Sequence, residues 1–462
     1  MFNRRQFAAG GLASIAFAGM ALRGCAPPTP DRGEVAGYGP LEADRGGLLD
    51  LPKGFGYRVI SRAGEPMDDG FVVPGNFDGM GCIALDDGLI ALIRNHELAP
   101  DERLLGPAGG DDRLEARLLR QPHFGKDVVG FPLPGGTTTI VYDMHRGQRK
   151  SQYLSLAGTA INCAGGVTPW GSWLSCEEVA ENKIGGLIGR THGWVFEVPA
   201  RQQGLVQPVP LHGLGRFRHE AVAIDPRTGI VYLTEDQENG LFYRFLPDDP
   251  KRLAAGGRLQ ALALRGAPRG GDTRNWGSPQ IEAGSWNDVF WIDLPGADNP
   301  HGDLRMRGHK AGAALFARGE GIHWGHDELY FTCTSGGMRE IGQVMRYVPS
   351  PSEGSPGEKT RPGRLQLLVE SRDPDVMSYI DNIAVTPWGH LIACEDRAKD
   401  GGINHLKGIT SEGRTYTIGR LRIDTELAGA CFSPDKSTLF LNVYSPGATL
   451  AITGPWSQVR VT

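Results

Sequence analysis

An eleven-residue segment occurs twice in this chain, and the duplication constrains the fold more than any other feature. Residues 168–178 and 386–396 share Thr-Pro-Trp-Gly at the start and, after four intervening residues, Cys-Glu. In both copies a turn sequence is followed by an apolar run that ends in acidic residues. A turn of this kind beside strand-forming residues indicates a β-hairpin. A hairpin that recurs predicts an architecture built from several copies of one unit.

Further segments follow the same plan of apolar run, turn, apolar run and polar or acidic end. Their turns contain residues such as Asp-Asp-Gly or Asp-Pro-Arg-Thr-Gly, which favour chain reversal. These weaker copies are 80–97, 221–236, 321–334 and 430–442. Six hairpins at irregular spacing predict an all-β, six-bladed β-propeller in which each hairpin supplies the two strands nearest the axis. A β-sandwich or two smaller β domains is the alternative that the pattern leaves open.

The segments between the hairpins complete this predicted propeller. Residues 98–160 and 244–318 are long spacers, which we expect to carry outer strands and irregular loop or helix excursions, with 112–121 as the clearest helical stretch. Residues 54–61 are expected to pair with the last blade and close the ring, which leaves no free sheet edge. The 67 glycines and 32 prolines suit many short strands joined by tight turns. We therefore predict a single β-propeller domain over 47–462.

Two arginines near the start of the chain precede an uncharged stretch. They lie in Asn3-Arg-Arg-Gln-Phe7, and residues 8–22 carry no charge. The pattern is typical of a twin-arginine export signal, and the stretch is short for a membrane span. An N-terminal anchor helix is the alternative. We predict a signal segment over 1–25, a linker over 26–46 and periplasmic export by the twin-arginine machinery, with Cys25 a candidate for lipid attachment.

Charge and cysteine usage exclude several function classes. The net charge is −5, from 48 basic and 53 acidic residues without a basic tract, so the footprint of a nucleic-acid-binding protein is missing. No Gly-x-Ser-x-Gly elbow and no P-loop occurs. The seven cysteines contain no Cys-x-x-Cys pair, which excludes a zinc ribbon. Those in apolar strand patterns are interpreted as small buried hydrophobes: Cys176, Cys333, Cys394 and Cys431. We expect a small-molecule partner and a monomer.

Acidic residues recur at the ends of the hairpins. The second strands end in Asn95-His96-Glu97, Glu177-Glu178, Glu235-Asp236 and Glu395-Asp396. The residues that precede first strands include Glu220, Glu320, Asp381 and Glu426. Because a hairpin returns to where it began, we expect these carboxylates to converge at one mouth of the channel. Clustered like charges need protons, basic partners or cations, and oxygen ligands in this number suit Ca²⁺ or Fe³⁺. The competing interpretation is a set of solvated turns.

One cysteine and one arginine stand close to these acids in the sequence. Cys163 lies in Asn-Cys-Ala-Gly-Gly just before the first Thr-Pro-Trp-Gly turn. We expect it at the same mouth, where a thiolate favours a transition metal; the alternative is a buried structural cysteine. Arg318 lies two residues before Glu320, and beside metals an arginine can hold phosphate through two parallel hydrogen bonds. The alternative for Arg318 is a salt bridge.

Taken together, these motifs resemble the PhoX-type alkaline phosphatases, which are exported by the twin-arginine route. The matching pieces span roughly 50–450 in order: Arg94–Glu97, Asn162–Gly166, Thr168–Gly171, Cys176–Glu178, His192–Glu197, Arg216–Glu220, Leu233–Asp236, Arg318–Glu320, Asp381–Asn382, Cys394–Asp396, Glu426–Gly429 and Cys431–Asp435. The resemblance implies a propeller that hydrolyses phosphate monoesters at a mixed cluster of Fe³⁺ and Ca²⁺.

The resemblance also implies roles for individual residues. Cys163 would be an iron ligand and Arg318 would hold phosphate. The carboxylates that would share iron and calcium are Glu177, Glu178, Glu220, Asp236, Glu320 and Glu426, with Glu395 and Glu97 as further candidates. This chain is shorter than typical members of the family, which implies trimmed outer loops around the substrate entrance.

Two other functions remain open from the sequence. One is a calcium-dependent propeller lactonase or esterase, in which His219 or His323 acts as general base beside a calcium ion. The other is a non-catalytic binding propeller that calcium stabilises. His405 is a weaker candidate for the site.

Overall fold

The structure is a computed structural model, and it describes residues 34–180, 187–397 and 401–461. The predicted signal segment 1–25, with Cys25, lies outside the described residues. Within them, no helix combines the length and the apolar character that crossing a membrane would require.

Strands dominate the described residues. The first thirteen are β1 Leu41–Glu42, β2 Leu49–Pro52, β3 Gly56–Arg62, β4 Phe77–Ala84, β5 Leu89–His96, β6 Gly135–Asp143, β7 Gln148–Thr159, β8 Asn162–Val167, β9 Ser172–Glu177, β10 Val195–Pro199, β11 His219–Ile224, β12 Val231–Glu235 and β13 Phe242–Pro247. The others are β14 Gly257–Leu264, β15 Trp286–Asp293, β16 Gly319–Trp324, β17 Leu329–Cys333, β18 Gln343–Val348, β19 Arg364–Glu370, β20 Ile380–Val385, β21 Leu391–Glu395, β22 His405–Ile409, β23 Thr415–Leu421, β24 Leu427–Phe432, β25 Thr438–Val443 and β26 Ala448–Thr453.

Helices are few and short in the same residues. The α-helices are α1 Asp112–Leu118, which confirms the helix expected over 112–121, and α2 Leu304–Lys310. Short 3-10 turns occur at Arg103–Leu105, His212–Leu214, Leu253–Ala255, Pro356–Lys359 and Trp456–Gln458.

The strands form five antiparallel sheets in a propeller-like arrangement. In hydrogen-bonded order they are β4-β5-β6-β7, β10-β9-β8, β11-β12-β13-β14-β15-β19-β18-β17-β16, β1-β2-β23-β22-β21-β20 and β24-β25-β26-β3. The all-β prediction is therefore confirmed, whereas the prediction of six separate blades is wrong: four sheets stand alone and one contains nine strands.

The strand β15 explains the difference in the number of sheets. It pairs with β14 along one edge and, through Trp286–Asp288, with β19 along the other. Two hairpins, β11–β12 and β16–β17, are therefore joined at their outer edges by a strand from the long spacer. The first strands of the six hairpins still neighbour one another in turn, from β4 through β8, β11, β16, β20 and β24 back to β4.

The duplicated sequence forms the same hairpin twice, as β8–β9 and β20–β21. At the turns, Gly171 N–H donates to Thr168 O at 3.1 Å and Gly389 N–H donates to Thr386 O at 3.0 Å. Both glycines have left-handed backbones, with φ of 85° and 88°. Only glycine adopts this conformation without steric cost, which is why the Thr-Pro-Trp-Gly sequence recurs.

The N-terminal part of the described chain closes the fold. Strand β3 pairs with β26, for example Tyr57 with Ile452, as the closure prediction requires. Residues 34–46, which the sequence suggested as linker, are instead part of the folded unit. Glu34 bridges to Thr415, β1 pairs with β2, and Tyr38 packs against the apolar core.

Apolar side chains pack within and between the sheets and fix their spacing. The rings of Phe242 on β13 and Phe331 on β17 are parallel with centroids 4.2 Å apart, and Tyr142 on β6 meets Phe440 on β25 edge to face at 5.3 Å. The interpretation of four cysteines as small buried hydrophobes is confirmed, since Cys176, Cys333, Cys394 and Cys431 are all buried and unbridged. This packing holds the hairpin ends in fixed positions around the centre.

Candidate metal centre

Each of the six hairpins carries a β-bulge near the beginning of its first strand. Between the pairs Asn162–Glu177 and Gly165–Ser175, β8 advances three residues while β9 advances two. The same shift occurs in β4, β11, β16, β20 and β24. A bulge inserts one residue and re-aims its side chain. The first residues inside the six bulges are Asp78, Cys163, Glu220, Glu320, Asp381 and Gly429.

Nine side chains with metal-ligand atoms form a chain of overlapping groups built on these bulges. Within each group the ligand atoms lie within 4.8 Å of one another, and neighbouring groups share one residue. The groups are Asp78, Glu97 and Cys163; Cys163, Glu178 and Glu220; Glu220, Glu320 and Asp381; and Asp381, Asp396 and Glu426. All except Asp396 are buried. These nine residues are called the acidic ring below.

The acidic ring contains part of the set that the sequence suggested. It includes Cys163, Glu178, Glu220, Glu320 and Glu426 from that set. It also includes residues that the sequence noted only as strand-end acids or further candidates: Glu97, Asp381 and Asp396. Sequence reasoning missed Asp78 altogether. Its position matches that of Glu220 in another hairpin, and this match is the signal that could have found it. Asp78 stands two residues before Met80 and Glu220 two residues before Val222, the positions at which strand pairing resumes after the bulge.

Glu177 lies outside the acidic ring, and hydrogen bonds occupy both of its carboxylate oxygens. It accepts from the backbone N–H groups of Ala160 at 3.0 Å and Gly193 at 2.9 Å, and its Oε1 lies 2.6 Å from His192 Nδ1. Glu177 is the last residue of β9, and successive strand residues face opposite sides. Its neighbour Glu178 therefore faces the ring, while Glu177 fastens the adjacent loops.

Glu395 occupies the equivalent place at the end of β21. It accepts hydrogen bonds from Ser378 N–H at 2.9 Å and from His405 N–H at 3.1 Å. Among the described residues it joins none of the four groups, whereas Asp396 does. In both duplicated hairpins the first acid accepts hydrogen bonds from backbone N–H groups of adjacent loops and strands, and the second acid faces the ring.

The three histidines considered from the sequence do not join the acidic ring. His219 Nε2 lies 2.9 Å from Gly215 O, and His323 Nδ1 lies 2.8 Å from Trp324 O. His405 contacts a strand-end carboxylate outside the ring. Within the described parts of the chain, this placement gives no support to a histidine base beside a calcium ion, as the lactonase alternative requires.

The ring carries strong electrostatic stress. Burial raises the pKa of Glu220 well above its ordinary value, and the charges of Glu320 and Asp381 raise it further. Both oxygens of Glu220 lack a hydrogen-bond partner among the described residues. Burial likewise raises the pKa of the Cys163 thiol, helped by the ring carboxylates, and Cys163 Sγ donates to Glu178 Oε2 at 3.1 Å. Burying such groups charged costs several kcal/mol per ion unless cations compensate.

The donor set fits bound metal ions. Carboxylate oxygens are hard ligands, and the two oxygens of Glu220 are buried without a protein partner. The thiol of Cys163 adds a soft ligand at one side of the ring. Cations at the ring would satisfy these oxygens and remove the repulsion between neighbouring carboxylates.

Two arginines flank the ring. Arg318 donates from Nε to Asp236 Oδ1 at 2.7 Å and from Nη2 to Asp236 Oδ2 at 3.0 Å, and it also contacts Glu320. Asp236 thus lies beside the ring as the partner of Arg318. Arg218, which the sequence did not single out, has Nη1 3.6 Å from Glu178 Oε1. Both side chains are partly exposed, at 27% for Arg318 and 19% for Arg218.

A family model and several solved structures resemble this chain. The model of the alkaline phosphatase PhoX family matches residues 36–447. Pseudomonas fluorescens PhoX, solved in complex with vanadate, a transition state analogue, is similar in structure with a TM-score of 0.66 and 18% identity, covering 88% of this chain and 96% of that one. A gluconolactonase from Xanthomonas campestris reaches a TM-score of only 0.40 at 10% identity, covering 86% and 98%. No curated protein matches the sequence. Because the family match extends over most of its length, the chain belongs to the PhoX family of alkaline phosphatases.

Proposed function

We propose that this protein is an exported, metal-dependent phosphatase that hydrolyses phosphate monoesters at an iron–calcium cluster held by the acidic ring. The observation that carries the proposal is the ring itself, in which carboxylates and one thiol from five of the six bulges and from the adjoining hairpin ends meet in a PhoX-family chain. The P. fluorescens relative binds vanadate, a transition state analogue, which supports phosphoryl transfer as the reaction of this family.

The ring divides by ligand chemistry into two parts. Around Cys163, the groups that contain its thiol suit iron, because a thiolate is a poor ligand for calcium. The groups around Asp381 contain only oxygen ligands, as Ca²⁺ prefers. When bound, the ions would supply Lewis-acid activation and positive charge for the phosphate oxygens.

Arg318 is the residue that we assign to phosphate binding. Its guanidinium forms ion pairs with Asp236 and Glu320 at the ring, and the side chain is partly exposed. A planar guanidinium can donate two parallel hydrogen bonds to phosphate, and a preset donor stabilises charge that develops in the transition state. Asp236 fixes the orientation of Arg318 before the substrate arrives.

We also propose that the protein acts in the periplasm after twin-arginine export. The paired arginines Arg4 and Arg5 and the uncharged stretch that follows support this location. Phosphate esters are then the small-molecule partners, and a monomer is sufficient, since one chain supplies the whole ring. Lipid attachment at Cys25 belongs to the same proposal.

Metal content and turnover measured on one preparation test the function. The full chain, exported in its native host, would be analysed for iron and calcium and assayed with 4-nitrophenyl phosphate before and after calcium chelation. We expect both metals, turnover, loss of turnover on chelation and recovery when calcium returns. Full metal occupancy without turnover of any phosphate ester would refute the catalytic proposal and favour the binding propeller.

A further inference from the structure

A pocket of about 310 Å³ lies beside the acidic ring. Arg218 contacts the acidic ring and also lines the pocket. Its backbone bridges to Glu178, its carbonyl accepts from Asp236 N–H at 3.2 Å, and its guanidinium approaches Glu178 while lining the pocket. The pocket and the ring therefore share Arg218 as a wall. The two sites are therefore neighbours on either side of one side chain. The pocket is called the basic pocket below, and its lining includes Arg216, Arg218, Glu235, Asn299 and Arg305.

Buried polar side chains build the floor of the basic pocket. Arg216 is 1% exposed, and it donates to the carbonyl oxygens of Ala180 at 2.9 Å, Asp298 at 3.1 Å and Asn299 at 2.7 Å. The Asn299 side chain returns a hydrogen bond to Arg216 O at 2.8 Å. These reciprocal bonds fasten the loop before α2 to the segment that leads into β11. The pocket is therefore a fixed feature of the fold.

The charge in the basic pocket is opposite to that of the ring. Arg305, on α2, lines it with Nε bonded to Asn239 Oδ1 at 3.1 Å, and in the described parts of the chain it forms no ion pair. The carboxylate in the lining, Glu235, accepts from Leu241 N–H at 3.1 Å and from the Tyr243 hydroxyl at 2.7 Å. Arg216, Arg218 and Arg305 outnumber this one acid. An anion is the ligand that such a pocket favours.

We propose that the basic pocket binds a second anionic group of the substrate, with Arg305 as its specificity-determining residue. The preferred substrates are then phosphate monoesters that carry a further negative group, such as a carboxylate or a second phosphate. The inference rests on the proposed function, because it assumes that the phosphate undergoing hydrolysis lies at the ring. Esters without the second charge use the ring alone.

Matched substrates test the pocket. Glucose 6-phosphate and 6-phosphogluconate differ in the carboxylate at the far end, and glycerol 3-phosphate and 3-phosphoglycerate form a shorter pair. Phosphate release would be measured for the wild type, for Arg305→Ala and for Lys310→Ala, a control on the exposed side of the same helix. We expect Arg305→Ala to lower kcat/KM for a carboxylate-bearing ester about tenfold, mainly through KM. The kcat/KM of Arg305→Ala for the esters without a carboxylate, and that of the Lys310→Ala control for all four esters, should change less than about twofold.

The outcomes separate the two proposals. Equal effects of Arg305→Ala on both members of each pair, or no effect on either, would overturn the basic pocket while leaving the phosphatase intact. If the fully metal-loaded wild type hydrolyses neither these four esters nor 4-nitrophenyl phosphate, the proposed function fails. Calorimetric titration with 6-phosphogluconate then still decides the pocket: equal affinity for wild type and Arg305→Ala would refute it, and weaker binding to the variant would support it.

Discussion

Arg318 and Asp236 form a two-point ion pair, with Nε–Oδ1 and Nη2–Oδ2 distances of 2.7 and 3.0 Å, that joins the hairpins β11–β12 and β16–β17 at the edge of the acidic ring. The backbone of Arg318 is left-handed, with φ of 54°, which is uncommon for a residue with a side chain. The fold thus holds a guanidinium beside a cluster of buried carboxylates. Several expected outcomes follow from this arrangement and from the ring.

Arg318→Lys should lower kcat/KM for 4-nitrophenyl phosphate about 100-fold, because lysine cannot reproduce two parallel hydrogen bonds to phosphate. Iron and calcium content should stay unchanged, since Arg318 supplies no metal ligand. Arg346→Lys is the control, as Arg346 pairs with Glu328 away from the ring. Unchanged kinetics in the Arg318 variant would remove this residue from phosphate binding.

Glu177 and Glu178 are adjacent acids that should behave differently. Glu178→Gln should lower the affinity for metal at least about tenfold, with a parallel loss of activity, because Glu178 belongs to the ring. Glu177→Gln should instead lower the free energy of unfolding by about 3 kcal/mol, because an amide NH2 replaces one of the two accepting oxygens and leaves a buried backbone N–H without its acceptor. Metal analysis and urea unfolding of both variants distinguish the roles. Loss of metal from folded Glu177→Gln would contradict the assignment.

Cys163→Ala should abolish iron binding and turnover while calcium remains bound by the oxygen-only groups. Cys176→Ala is the matched control, because Cys176 is also buried but lies outside the ring. The control should lose about 1–2 kcal/mol of stability through its smaller side chain and keep its iron. Elemental analysis of the two purified variants is the measurement. Iron retained at the wild-type level in Cys163→Ala would show that the thiol is not a ligand.

Glu220→Gln should stabilise the metal-free protein and weaken the metal-loaded one. Glu220 is buried among carboxylates without a hydrogen-bond partner for either oxygen in the described chain, so a neutral amide relieves repulsion when no cation is present. We expect a gain of about 1–3 kcal/mol in the free energy of unfolding at pH 8 with a chelator, and a loss of calcium affinity. Denaturant unfolding with and without calcium tests both the gain in stability of the metal-free protein and the loss of calcium affinity. A metal-free variant that is less stable than the wild type would argue against repulsion between the ring carboxylates.

Asp44, which precedes strand β2, should make the free energy of unfolding depend on pH. Burial alone would raise its pKa, but hydrogen bonds from the Tyr57 hydroxyl and from Leu48 and Gly46 N–H lower it to about 2, against 3.8 for an ordinary Asp. A lowered folded-state pKa means stability that is present above the unfolded value and lost as pH falls towards 2. The stability difference between wild type and Asp44→Asn should therefore shrink between pH 6 and pH 2.5. A pH-independent difference would contradict this.

Local sequence signals predicted much of the fold. These signals are the Thr-Pro-Trp-Gly turns, the alternating apolar runs and the strand that closes the propeller. They depend on turn chemistry and side-chain period, which are properties of neighbouring residues. The convergence of acids at one end of the hairpins also followed, since a hairpin returns to its start. The sequence could not show that β15 pairs on both edges, because that pairing depends on where a long spacer crosses the surface.

The sequence by itself determined that this protein is built of repeated hairpins with acids, one cysteine and one arginine at their ends. Only the tertiary structure decided which of two adjacent acids faces the centre. Glu178 and Asp396 do so, while Glu177 and Glu395 bind the loops. The physical reason is that the pairing register and the one-residue bulges decide which of two alternating side chains turns inward, and both depend on the partner strand and not on neighbouring residues alone.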